Sequence, residues 1–178
     1  MKITSHNNTI DSILSEYESI LGNDFTAYRN HVYRIFNFSM ILDDHPENIS
    51  RYAIAASLHD LGIWTHKTFD YLEPTLNLTK NYLAGAGQQS LEAEILLMID
   101  MHHKMSRYTG PFAQTVEAFR RADWIDVSMG LLKFEVSGEA HRKVKEAFPY
   151  KGFHRFLLRQ TFKRFLSHPL DPLPMFKK

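Results

Sequence analysis

Two short stretches set a histidine beside a second donor group: LHDLG, with His59 and Asp60, and MHHK, with His102 and His103. Two more groups of the same kinds, His31 and Asp123, stand apart from them. Imidazole and carboxylate are the nitrogen and oxygen donors that hold divalent transition metals, and imidazole also moves protons near neutral pH. His59 and Asp60 close the apolar run AIAASL. A carboxylate buried there without a partner costs on the order of several kcal/mol, so something cationic is expected beside it.

The elements that must position these groups are helices. Apolar residues recur at helical spacing throughout, and no stretch alternates like a strand between hairpin turns. The expected fold is all-α, a compact single-domain bundle. Helices are predicted over Thr9–Leu21, Thr26–Leu42, Pro46–Gly62, Leu76–Leu83, Ser90–His103, Gln114–Met129, Ser137–Ala147 and His154–Leu166. Gly62 is expected as the residue just past a helix end, Trp64–Pro74 as an irregular aromatic loop, and HPLDPLPMFKK as an extended tail. On a helical wheel Tyr28, His31, Ile35 and Phe38 share one face; Ile49, Tyr52, Ala56 and His59 share another, with Asp60 about 100° further round. Val116, Phe119, Asp123 and Val127 form a third such face, and Leu91, Ile95, Met98 and His102 a fourth, with His103 on the flank of Leu96 and Ile99. Each group alone has a plainer reading: His31 as a hydrogen-bonded core histidine, Asp123 as a partner of Arg120 or Arg121, Asp60 as half of a salt bridge, His102-His103 as a solvated helix end. Together they place metal-ligand types on the inward faces of several helices, and one divalent ion would satisfy them at once.

Composition narrows the chemistry. The chain has 178 residues, 44% of them hydrophobic and 23% charged, with a net charge of +1. It has no cysteine, which excludes disulfides and thiolate-held zinc or iron–sulfur clusters, so the expected ion is iron, manganese, zinc, cobalt or nickel on nitrogen and oxygen. No signal-like leader or bilayer-length apolar run stands out, and the expectation is a soluble cytoplasmic protein without a membrane partner. Charge is uneven: residues 142–178 carry a net +8 and residues 1–141 a net −7. The basic segment reads as a helix closing the bundle with its phenylalanines buried, and nucleic acid is not expected as a partner.

A histidine on an early helix, LHDLG at the end of the next long one and an Asp inside the later RRADWID together resemble the HD-domain superfamily of metal-dependent phosphohydrolases. The resemblance spans roughly residues 26–132 and implies an HD-type helical bundle in which His31, His59, Asp60 and Asp123 bind one metal. Two departures stand out. Ile63 occupies the position where many members carry Glu or Lys, and no extra histidine lies near Gln88, so a mononuclear site is expected. His102 and His103 are then left for substrate or proton transfer, and Asp60 for taking a proton from water. The resemblance implies a hydrolase acting on a small phosphoester, with a nucleotide as one substrate class. A cyanamide-hydratase-like reaction on a small nitrile and a non-catalytic binding module are the alternatives. Arg34, Trp64, Lys67 and Tyr71 are the expected substrate-binding residues; Trp64, Lys67 and Tyr71 belong to an aromatic loop that also holds His66 and Phe69. Self-association is compatible with everything in the sequence.

Overall fold

A computed structural model describes residues 3–167; the tail from His168 onward lies outside the described residues. Among the described residues the fold is all-α, with no strand. The helices are α1 (Asn8–Glu16), α2 (Glu18–Leu21), α3 (Phe25–Leu42), α4 (Ile49–Leu58), α5 (Gly62–Thr65), α6 (Leu72–Gly85), α7 (Glu92–Met101), α8 (Ala113–Val127), α9 (Gly138–Ala147) and α10 (Phe153–Ser167). None of them is long and apolar enough to cross a membrane.

The 18-residue α3, free of Gly and Pro, is the central rod. It packs along α8 and touches α4, α9 and α10, while α7 closes the other side against α8, α4 and α6. At its C-terminal cap Asp43 accepts hydrogen bonds from Asn48 (2.8 Å), the Tyr52 hydroxyl (2.6 Å) and Gln114 (2.9 Å), which ties the α3–α4 turn to the start of α8. At the chain's start Asn7 caps α1 by accepting from the amides of Thr9 and Ile10.

Several boundaries differ from expectation. The first predicted helix breaks at Tyr17 into α1 and α2. The third does not run to Gly62: α4 ends at Leu58, and Gly62 instead opens α5. Glycine is needed there for close approach, because a Cβ would lie 2.5 Å from both the Thr75 hydroxyl and the Tyr71 carbonyl. The expected loop over Trp64–Pro74 is shorter, since α6 begins at Leu72 and takes Pro74 into its first turn, where proline's missing N–H costs nothing. Ile49, expected on the inward face of α4, is exposed. The C-terminal phenylalanines divide. Phe153 is buried and Phe156 half-buried, but Phe162 and Phe165 are 63% and 49% exposed.

Candidate metal centre

His59 is the C-cap of α4 and His102 the C-cap of α7, and the two use the same local device. The last carbonyls of a helix lack intrahelical donors. The Nδ1–H of His59 donates to the Ala56 carbonyl (2.8 Å) and that of His102 to the Ile99 carbonyl, so each ring is locked with Nε2 facing inward. His31, in mid-α3, gets the same tautomer from a carboxylate, its Nδ1–H donating to Asp126 at 2.6 Å. Asp126 is itself held by the buried Arg34 guanidinium through Nε and Nη2, and Arg34 also donates to the Phe148 carbonyl at 3.0 Å and lies over the Tyr150 ring. Three imidazoles are therefore anchored at Nδ1 and converge at Nε2, the pattern by which outer partners orient metal-binding histidines.

The convergence is tight. His31 Nε2 and His59 Nε2 are 3.1 Å apart, and Asp60 Oδ2 is 3.6 Å and 3.4 Å from them. With both Nδ1 atoms donating, two lone pairs face each other at 3.1 Å, which repels unless a proton or metal cation lies between them. On the other side Asp60 Oδ1 is 3.7 Å from His102 Nε2. Two overlapping groups have donors close enough for an ion, His31-His59-Asp60 and Asp60-His102-His103, with Asp60 in both. Asp123 belongs to neither. It is buried, its Oδ2 is 3.4 Å from His103 Nδ1, and neither of its oxygens has a hydrogen-bond partner. Arg120 and Arg121 do not pair with it; both are taken by Glu117. Asp60 Oδ1 likewise has no hydrogen-bond partner. Three orphaned carboxylate oxygens among converging Nε2 atoms fit a divalent cation by charge and donor chemistry.

Electrostatics follow from this crowding. Burial disfavours the charged form of Asp60, but His59, His102 and His31 outweigh it and hold the carboxyl well below its usual range. Asp123, with no such hydrogen bonds, is pushed up by burial. His103 is held well below the usual imidazole range by burial and by His102, and Tyr71 well above the usual phenol range by burial and by Asp60. The Tyr71 hydroxyl and His103 Nε2 share a hydrogen bond of 2.8 Å.

Over this cluster lies a cavity of about 330 Å³, reached by Asp60, Tyr71 and His103 and bordered on its outer side by α10. The structure thus brings His31, His59, Asp60, His102, His103 and Tyr71 together, with Asp123 beside them. It leaves the other expected substrate contacts elsewhere. Arg34 is buried as the partner of Asp126. Trp64 donates to Asp24 (3.0 Å) and stacks on Phe156, and it lines a neighbouring cleft with Lys67, outside the cavity. Asp126, which holds His31, and His154, which lines the cavity, are the positions at this site that the sequence reading missed. Asp126 sits at i+3 from Asp123, the spacing that puts it on the same side of α8; His154 carried no such signal. A larger groove of about 490 Å³ beside Tyr17 and Tyr82 contains none of the convergent groups. Comparison with protein-family models, curated proteins and solved structures finds no match to this chain.

Proposed function

We propose that the protein is a metal-dependent hydrolase of small phosphoesters, of the HD type that its His31, His59-Asp60 and Asp123 pattern resembles. The observation that carries this reading is the pair of Nε2 atoms 3.1 Å apart beside carboxylate oxygens that have no donor. His31, His59 and Asp60 would hold the ion, with Asp123 supplying balancing charge. When bound, a divalent cation draws electron density from the bond under attack and makes water acidic enough to attack near neutral pH. Asp60, which faces the cavity, would accept the proton of the attacking water, made acidic by the bound cation. The Tyr71 hydroxyl, hydrogen-bonded to His103, would donate to the leaving oxygen. That pair supplies the donor that Ile63, buried and apolar, does not. A small nitrile would leave most of the cavity empty, which favours the phosphoester over the hydratase reading.

The test is release of inorganic phosphate from a panel of aryl, alkyl, sugar and nucleoside monophosphates by protein reconstituted with manganese, iron, cobalt, nickel or zinc. Turnover by the wild type and a loss of at least about 10³-fold in Asp60→Asn is expected, since water activation and charge balance fail together. A metal-loaded protein that releases phosphate from no member of the panel contradicts the proposal.

A further inference from the structure

The cavity above the His and Asp cluster has two unlike ends. At its inner end are Asp60, Tyr71 and His103, all assigned above to the reacting centre; its remaining wall is mainly Phe69, Val127, Leu157 and Leu158. Among the described residues no Lys or Arg lines it. Its other polar lining consists of His154 and Thr161. His154 is hydrogen-bonded through Nε2 to the Asp126 carbonyl at 2.8 Å, burial lowers its pKa, and its buried Nδ1 has no partner, which leaves one neutral acceptor in the wall. The volume, about 330 Å³, is at the small end of the range for ligand sites, on the order of ten water-sized volumes. A nucleoside would carry its hydroxyls and base edges into walls with almost nothing to bond them, and a buried polar group without a partner is penalised. A hydrocarbon group of one or two rings, or a branched chain, fits within the same space, meets walls of its own kind and gains from leaving water.

Resting on the hydrolase reading, we propose that the substrate is a small phosphomonoester whose organic group is uncharged and apolar, an aryl or branched alkyl phosphate, and that nucleotides are discriminated against. Water adds to phosphorus as the P–O bond to the organic group breaks, the leaving oxygen takes a proton, and the products are inorganic phosphate and a neutral alcohol or phenol. The wall residues thus set specificity, while the inner groups carry the reaction. In such a pocket one added methylene is worth about 10–200-fold in kcat/KM until the space is full.

Two measurements separate this inference from the hydrolase reading. The first is kcat/KM of the metal-loaded protein for phenyl phosphate and adenosine monophosphate. The second, which needs neither metal nor turnover, is binding of phenol to metal-free protein by saturation-transfer NMR, repeated on Val127→Trp, which fills the cavity, and on Leu158→Glu. Leu158 is 71% exposed, so Leu158→Glu puts a charge at the rim without threatening the fold. Phenyl phosphate is expected to exceed the nucleotide by at least 100-fold in kcat/KM, phenol to bind the wild type, and both variants to weaken phenol binding at least fivefold. Phenol binding that the variants abolish, with no phosphate released from any ester, supports the apolar ligand class and removes the hydrolase reading. A nucleotide turned over as well as phenyl phosphate, or phenol binding unchanged in both variants, overturns the inference.

Discussion

Replacing Asp126 with Asn tests how the centre is held together. Asp126 accepts from His31 Nδ1 at 2.6 Å and from Arg34 at two guanidinium nitrogens, all three side chains being buried. Asn is nearly the same shape but removes the negative charge. The Arg34 cation is then left in the interior with carbonyl acceptors at Phe148 (3.0 Å) and Pro149 (3.4 Å). Breaking a buried ion pair from one side costs about 3–5 kcal/mol. For a chain of this size that is a fall in melting midpoint on the order of 10 °C. Asn keeps one acceptor oxygen where Asp126 used two, so His31 Nδ1 and Arg34 compete for it and an NH2 faces the loser; with the imidazole's tautomer no longer enforced, affinity for a divalent ion should drop about 10–100-fold, the usual effect of disturbing an outer partner of a metal-binding histidine. Urea denaturation of the metal-free protein and competitive metal titration measure the two effects separately. Adding Arg34→Met removes the stranded charge and should restore at least about 1 kcal/mol, because an apolar replacement of a buried pair is often neutral. If Asp126→Asn stays within about 0.5 kcal/mol of the wild type, in the range of an ordinary surface change, the reasoning fails.

Replacing His103 with Ala should keep an ion on His31, His59 and Asp60 while lowering phosphate release about 10–10⁴-fold, measured by metal content and turnover on the same sample. Gly62→Ala forces a methyl group to 2.5 Å from the Thr75 hydroxyl and the Tyr71 carbonyl; it should cost about 1–3 kcal/mol in urea denaturation, and it displaces Tyr71 from His103. Acid should weaken the fold through Glu117. Burial opposes its ionisation, but Arg120, the Tyr108 amide and Arg121 outweigh this and hold its carboxyl at about 2, below the ordinary 4.5. With the folded value depressed, this stability is present above 4.5 and lost as the pH falls toward about 2. After a discount for screening the loss is on the order of 2 kcal/mol, and Glu117→Gln should flatten that part of the stability–pH curve.

What could be read from the sequence was periodic. The inward faces of α3, α7 and α8 follow from spacing, and so does that of α4 apart from Ile49; the burial of His31, His59, His102 and Asp123 follows with them. What could not be read depends on partners distant in sequence. Arg34 looks like a ligand-binding cation until Asp126, 92 residues away, is placed against it. Trp64 and Lys67 are neighbours of Tyr71 in sequence, yet α5 turns Trp64 onto Phe156 and away from the cavity that Tyr71 enters. Gly62 resembles a helix stop because the local pattern says nothing of α6, whose approach is what forbids a side chain there. Charges on α10 could be counted but not oriented: the helix lays Phe153 on the His31 ring, with centroids 3.9 Å apart, and leaves Phe162 outside.

The most direct measurement is the transition-metal content of the purified protein, by plasma mass spectrometry, set beside that of His59→Ala and Asp60→Ala. The expected result is about one ion per chain in the wild type, almost none in either variant, and occupancy in the wild type that falls below about pH 6 as the imidazoles protonate. A wild type that carries no metal and takes up none of manganese, iron, cobalt, nickel or zinc on titration contradicts the metal centre, as does full occupancy in both variants.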